Sequence, residues 1–299
     1  MDKLTLLSPA KINLYLKITG KRADGYHELK TLFQAVDIFD ELTLEKTASG
    51  IEVICDDPDI PGGETNIAYK AAALLLAGRN CPGVKISIRK RIPSLAGLGG
   101  GSGNAAFTLT GIDRLFGLKT PKQELARLAL LCGSDVPFFL NPGRALAEGV
   151  GERLRNLIQT KKLHFVLVNP GIKKPSTKDI YRKFKFELTK GSVFDDNTLL
   201  DFSNAGVKAI LFNDLEPVVA GLYPVIDRIK TDLLAAGAKG ALMSGSGLTV
   251  FGTARSFRQA EEIAAQLGEK YPWVKTATSF EGQEPKGGSD GDHRSKDSP

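Results

Sequence analysis

Cysteine is scarce in this chain: Cys55, Cys81 and Cys132 are the three among 299 residues. They are scattered, odd in number, and accompanied by no CxxC or Cys/His spacing. A disulfide framework and a zinc site are therefore not expected, and a reducing, cytoplasmic setting is. No apolar run approaches the roughly 18 residues that a membrane-spanning helix needs, so no membrane partner is expected. The opening Met1-Asp2-Lys3-Leu4 has neither an apolar signal core nor an Arg/Ser-rich leader, which argues against secretion and organelle import. Basic residues are spread along the chain without aromatic interleaving.

What is present is an ordinary globular balance, 42% hydrophobic and 25% charged, which excludes collagen, coiled coils and a mostly disordered chain. The length allows one large domain or two ordinary ones. Net charge is +6 and the pI is about 9.1. That suits an anionic partner, nucleic acid or a phosphorylated small molecule, beside the plainer reading of a mildly basic surface. Residues 282–299 contain no Leu, Ile, Val or aromatic residue and read as a disordered tail. The tail holds three Lys/Arg and four Asp/Glu, leaving 37 against 30 in residues 1–281, so it does not cause the basic balance.

Alternation at Ile12, Leu14, Leu16 and Ile18 predicts a strand within 4–18, and further strands are expected at 33–39, 42–44, 51–54 and 84–88. Helices are expected at 65–76 and 104–115. Another should open at Thr120-Pro121, with Thr120 as N-cap, and end near Cys132-Gly133. Beyond residue 162 the pattern predicts strands at 164–168, 241–243 and 249–251, and helices at 207–212, 217–235 and 256–267. A division near 155–162 gives two mixed halves.

The densest signal is Ser94-Leu95-Ala96-Gly97-Leu98-Gly99-Gly100-Gly101-Ser102-Gly103-Asn104, in which five of the seven residues from 97 to 103 are glycine. Glycine lets a ligand approach the main chain closely, and a helix follows at once with its free N–H groups and positive dipole end. Together these make a phosphate cradle. No GxxxxGK[ST] pattern is present. A GxGxxA match at 101–106 lacks the strand and acidic residue that a dinucleotide fold requires.

Two polar residues stand in apolar company. Lys11, with Asn13, lies opposite Ile12 and Leu14 on the first strand, either solvated or functional. Asp135 follows a helix end beside Val136, Pro137, Phe138 and Phe139. It is either a turn cap or a carboxylate in a partly dry pocket that needs a cation, for which Lys11 is a candidate.

These segments carry a resemblance. Pro9-Ala10-Lys11-Ile12-Asn13-Leu14, the Gly97–Ala106 loop and Met243-Ser244-Gly245-Ser246-Gly247 resemble the three motifs of the GHMP small-molecule kinases, relatives of galactokinase, homoserine kinase and mevalonate kinase. Gly20-Lys21-Arg22-Ala23-Asp24-Gly25-Tyr26-His27-Glu28-Leu29 and Gly133-Ser134-Asp135-Val136-Pro137-Phe138-Phe139 resemble a branch whose alcohol substrate carries a cytidine diphosphate. The likeness runs from about Leu7 to Phe280. Gly103 stands where the family usually has serine, and Leu248 where it has proline or a small residue.

The resemblance implies an α+β, two-lobed GHMP kinase fold: an N-terminal ATP-binding lobe over 1–160, like ribosomal protein S5 domain 2, and a C-terminal α+β lobe over 161–281. It implies an ATP site on Ser94, Leu95, Ala96, Gly97, Leu98, Gly99, Gly100, Gly101, Ser102, Gly103 and Asn104, with Asn66, beside Tyr69, on the adenine side. Asp135 and Lys11 take the positions that flank the acceptor hydroxyl. Asn13, Tyr26, His27, Thr177 and Tyr181 take the substrate positions, with aromatic stacking and edge hydrogen bonds recognising cytosine. Tyr26 and His27 also read as an ordinary hairpin tip, and Tyr69 as core. ATP brings Mg²⁺, for which Ser102 is either a ligand or only a helix cap. The expected partner is the small-molecule cytidine diphosphate substrate, with no nucleic acid, for a monomer or homodimer. Two other readings stay open: another GHMP kinase, of mevalonate or homoserine type, and a non-enzymatic RNA binder, prompted by the pI and the S5-like lobe.

Overall fold

The computed structural model describes residues 1–159, 161–173, 177–184, 194–200 and 206–282. The predicted tail lies outside the described residues apart from Gly282. Two long antiparallel strands, β1 (Lys3–Lys21) and β2 (His27–Thr47), frame the first half. Register shifts between Pro9 and Ala10, Asn13 and Tyr15, and Ile18 and Gly20 bend the pair, because an extra residue on one strand increases local twist. The short stretches read at 33–39 and 42–44 are thus parts of one strand. Along its other edge β2 pairs first with β5 (Arg144–Gly149), through residues 29–34, and then with β4 (Gly83–Arg89), through residues 41–47. β3 (Ile51–Cys55) lies parallel to β4, and β6 (Arg153–Leu157) closes a hairpin with β5.

Three helices, α1 (Ile67–Leu76), α2 (Gly100–Phe116) and α3 (Lys122–Cys132), cover one face of this sheet. Leu42, Leu44 and Ile86 meet Ala105, Leu109 and Ile112 in one buried cluster. Alanines at 68, 71, 72, 105 and 106 are fully buried, and such small side chains let helices pack closely.

The second half builds a four-stranded antiparallel sheet in the order β11-β7-β10-β9. Its strands are β7 (His164–Asn169), β9 (Ala241–Met243), β10 (Val250–Ala254) and β11 (Trp273–Thr278). The two-residue β8 (Phe212–Asn213) instead joins the first sheet, parallel to β1 at Tyr15 and Leu16. Helices α4 (Thr177–Lys183), α5 (Asp196–Leu200), α6 (Glu216–Leu222), α7 (Val225–Ala235) and α8 (Phe257–Gly268) complete this half. Ile226, Ile229 and Leu233 share a core with Val166 and Val250, while Phe165 and Phe251 share another with Ile12 and Leu14 of β1. Both faces of β1 are therefore covered, and every residue from Ser8 to Ile18 is buried.

Several expected boundaries move. α2 starts at Gly100 rather than 104, after Gly99 at φ 70°, so three of the glycines form its first turn. Pro121, not Thr120, precedes α3, and the Thr120 hydroxyl makes no cap bond. The helix expected over 217–235 divides at Tyr223-Pro224, where proline lacks the N–H needed to continue. Residues 207–210 form a 3₁₀ turn, followed by β8. Strands β5, β6 and β11 carry no clear alternation and were not foreseen.

Candidate active site

The three motifs are bonded directly to one another. Lys11 N donates to Leu98 O at 2.9 Å, tying β1 to the glycine loop. Asn13 N donates to Ser244 Oγ at 3.2 Å, and Ser244 Oγ donates to Gly97 O at 2.9 Å. Asn213 Nδ2 in turn holds the 243–245 turn through the carbonyls of Met243 and Gly245, both at 2.8 Å. A hydroxyl that both accepts and donates serves a junction of two backbones well.

The glycine loop has no spare room at this junction. Gly97 has φ 80°, and a Cβ there would stand 2.1 Å from Ser244 O. Gly97→Ala is expected to displace the loop and lower the melting temperature by a few degrees; a melting curve checks this. Gly99 packs on Phe139 and on the Lys11 stem, 2.7 and 3.1 Å from its would-be Cβ. The departure at Gly103 has a local cause: Ser8 Oγ lies 2.5 Å from where its Cβ would be.

Asp40 anchors the loop from beneath. Its fully buried carboxylate pairs with the Lys90 ammonium and accepts from Arg91 N at 2.8 Å, Ile92 N at 2.9 Å and Asn104 Nδ2 at 3.0 Å. One carboxylate thus orients the strand end before the loop and the helix start after it. Sequence reading missed both Asp40 and Lys90. The one signal was an acid in Ile38-Phe39-Asp40-Glu41-Leu42 at a strand position without surface neighbours.

Lys11 and Asp135, 124 residues apart, meet at 3.5 Å between Nζ and Oδ2. Lys11 is 3% exposed, so the solvated alternative falls. The turn before Pro137 has no side-chain cap bond, and the Asp135 carboxylate faces Lys11. The ammonium also donates to Asn13 Oδ1 at 2.7 Å and sits 5.1 Å from the Phe33 ring centroid. The β5–β6 turn closes the far side, with Gly151 facing Asp135.

These groups line a cleft of about 1060 Å³ between the two halves. Its wall includes Lys11, Asn13, Asp135, Thr177, Tyr181 and, from the glycine loop, Ser94 to Gly97, Gly99 to Ser102, and Asn104. Asn66 is on the wall too, but its side chain already caps α1 through Ala68 N and donates to Pro61 O, both at 2.9 Å. Leu98, Gly103, Tyr26 and His27 are not on the wall: Leu98 is core, and Tyr26 is 64% exposed at the hairpin tip.

His27 lies against Tyr181, ring centroids 5.4 Å apart, and edge-on to Phe184 at 6.0 Å. That spacing leaves no room for a base between His27 and Tyr181. Thr177 Oγ1 and Ser246 Oγ are 3.0 Å apart. Burial, and secondarily the Asp135 charge, pushes the Tyr181 phenol up. Burial, helped by Lys21, holds the His27 imidazole below its ordinary 6.5. The unfolded chain therefore binds a proton at His27 at higher pH than the folded one, and stability falls as pH drops through 6.5 toward that lower value. Melting temperature between pH 7.5 and 5.5 is expected to fall more for the parent than for His27→Gln.

The fold and cleft define a GHMP kinase. Residues 66–143 match the GHMP kinases N terminal domain and residues 199–272 the GHMP kinases C terminal domain. The chain is 44% identical over 272 residues to the 4-diphosphocytidyl-2-C-methyl-D-erythritol kinase of Syntrophus aciditrophicus (strain SB), covering 91% of this chain and 97% of that one. A crystal structure of 4-(cytidine 5'-diphospho)-2C-methyl-D-erythritol kinase superposes with a TM-score of 0.81 at 37% identity, over 93% of this chain and 100% of that one. Homoserine kinase from Cytophaga hutchinsonii shares the fold, with a TM-score of 0.74 at 20% identity over 94% and 95% of the two chains. The chain belongs to the 4-diphosphocytidyl-2-C-methyl-D-erythritol kinase family. No helix among the described residues is long and apolar enough to cross a membrane.

Proposed function

We propose that this chain transfers the γ-phosphoryl group of ATP to the 2-hydroxyl of 4-diphosphocytidyl-2-C-methyl-D-erythritol, giving the 2-phosphate and ADP, a step in non-mevalonate isoprenoid precursor synthesis. The observation that carries this reading is the Lys11–Asp135 pair, 3.5 Å apart, in the same cleft as the glycine loop.

The acceptor is a tertiary alcohol, crowded and weakly acidic, so positioning supplies much of the rate. Amides at the start of α2 hold the β- and γ-phosphates. The hydroxyl oxygen bonds to the γ-phosphorus as the bridging oxygen leaves with ADP. The transition state of phosphoryl transfer is loose, so the proton departs late. Asp135 orients the hydroxyl and takes that proton, and Lys11 offsets charge on the transferring group.

ATP enters as its magnesium complex. Among the described residues no group of three or more His, Cys, Asp or Glu is placed to hold a metal. The Ser102 hydroxyl, in the first turn of α2, is the side chain proposed to reach the ion, which would offset phosphate charge during transfer. Tyr181, on the cleft wall, stacks on the cytosine, His27 bonds its edge, and Asn13 and Thr177 contact the rest of the substrate, whereas Tyr26, exposed at the hairpin tip, would join the stack only by moving inward. With His27 resting on Tyr181, the base enters on another face of Tyr181 or displaces the imidazole.

The test is ADP release from ATP with this substrate, mevalonate, homoserine or galactose, in the absence of RNA. Turnover with the cytidine diphosphate substrate alone is expected. Turnover with one of the other three alone would overturn the assignment of substrate.

A further inference from the structure

We propose that Thr31 is a positioning residue for phosphoryl transfer, fixing the orientation of the Asn13 amide and through it the Lys11 ammonium. This rests on the reading of Lys11 above. Thr31 lies on β2, is 1% exposed, and reaches the cleft wall. Its hydroxyl donates to Tyr15 O at 2.6 Å, beside the register shift between Asn13 and Tyr15. A hydroxyl has one proton. With that proton committed to a carbonyl, Thr31 Oγ1 only accepts from its second partner, the Asn13 amide 2.8 Å away.

The direction of every bond in the chain then follows. Asn13 must turn Nδ2 toward Thr31, which leaves Oδ1 toward Lys11 Nζ at 2.7 Å. A flipped amide would set two acceptors face to face at Thr31 and two donors face to face at Lys11. Asn13 N is held separately by Ser244 Oγ, so the side chain is free to serve this purpose. Asn13 is 2% exposed, so water does not readily replace a lost partner. The relay Tyr15 O, Thr31, Asn13, Lys11 therefore determines where the ammonium stands relative to Asp135 Oδ2, 3.5 Å away.

The test compares kcat and KM for both substrates in Thr31→Val, which keeps shape and removes the hydroxyl, and Thr31→Ser, which keeps the hydroxyl. Thr31→Ala takes the place of the valine should that variant not fold. The hydroxyl-free variant is expected to lose about 10- to 50-fold in kcat with both KM values within about threefold of the parent, and Thr31→Ser to recover most of that rate. A kcat unchanged in Thr31→Val, a serine as impaired as the valine, or a loss confined to KM would each overturn the proposal. Asp135→Asn serves as control: if it is slow while Thr31→Val is not, only the positioning inference falls. If the unaltered chain does not phosphorylate the substrate, both fall.

Discussion

Asp135→Asn is expected to lower kcat by roughly 10²–10⁴ while both KM values change little. The amide has the shape of the carboxylate and still hydrogen-bonds the acceptor hydroxyl, but it takes no proton and gives Lys11 no counter-charge at 3.5 Å. The substrate still binds because the glycine loop and the α4 side of the cleft are untouched. Steady-state kinetics with an ADP-coupled readout check this. An unchanged kcat would remove Asp135 from the chemistry, and a large rise in KM alone would make it a binding residue.

Asp40→Ala is expected to destabilise the fold by about 3–5 kcal/mol, since it strands the buried Lys90 ammonium and leaves Arg91 N, Ile92 N and the Asn104 amide without their acceptor. In a chain of this size that corresponds to a melting temperature lower by roughly 6–20 °C. KM for ATP should rise as well, because the same carboxylate ties both ends of the glycine loop. Breaking one partner of a buried ion pair costs more than removing both. Adding Lys90→Met to Asp40→Ala should therefore recover part of the lost melting temperature. Two losses that simply add would show that Asp40 acts through the backbone amides alone.

Much of the site was legible because its parts are local: a glycine run opening a helix, a lysine and an asparagine two apart on a strand, an acid before Val-Pro-Phe-Phe. The pairing of Lys11 with Asp135 was legible only as an option, since no local pattern encodes proximity across 124 residues. Alternation was not enough at β1. It set Lys11 and Asn13 opposite Ile12 and Leu14 and left open whether they were solvated, but the Asp135 turn and the glycine loop close over that face, and both are buried. Asp40, Thr31 and Asn213 matter through bonds to distant backbone, which leave little trace in neighbouring residues. β5 and β6 escaped because Ala145, Ala147 and the arginines of 144, 153 and 155 give no period-two signal, although the register of β5 with β2, and of β6 with β5, places them without ambiguity.

In the proposed reaction, backbone at 97–104 holds a triphosphate whose terminal group points at an alcohol beside Asp135. A crystal structure with a non-hydrolysable ATP analogue and the cytidine diphosphate substrate tests it directly. The expected density places the γ-phosphate between the first turn of α2 and the substrate 2-hydroxyl, with that hydroxyl within hydrogen-bond distance of an Asp135 carboxylate oxygen. A nucleotide bound away from the loop, or a substrate hydroxyl out of reach of Asp135, would contradict it.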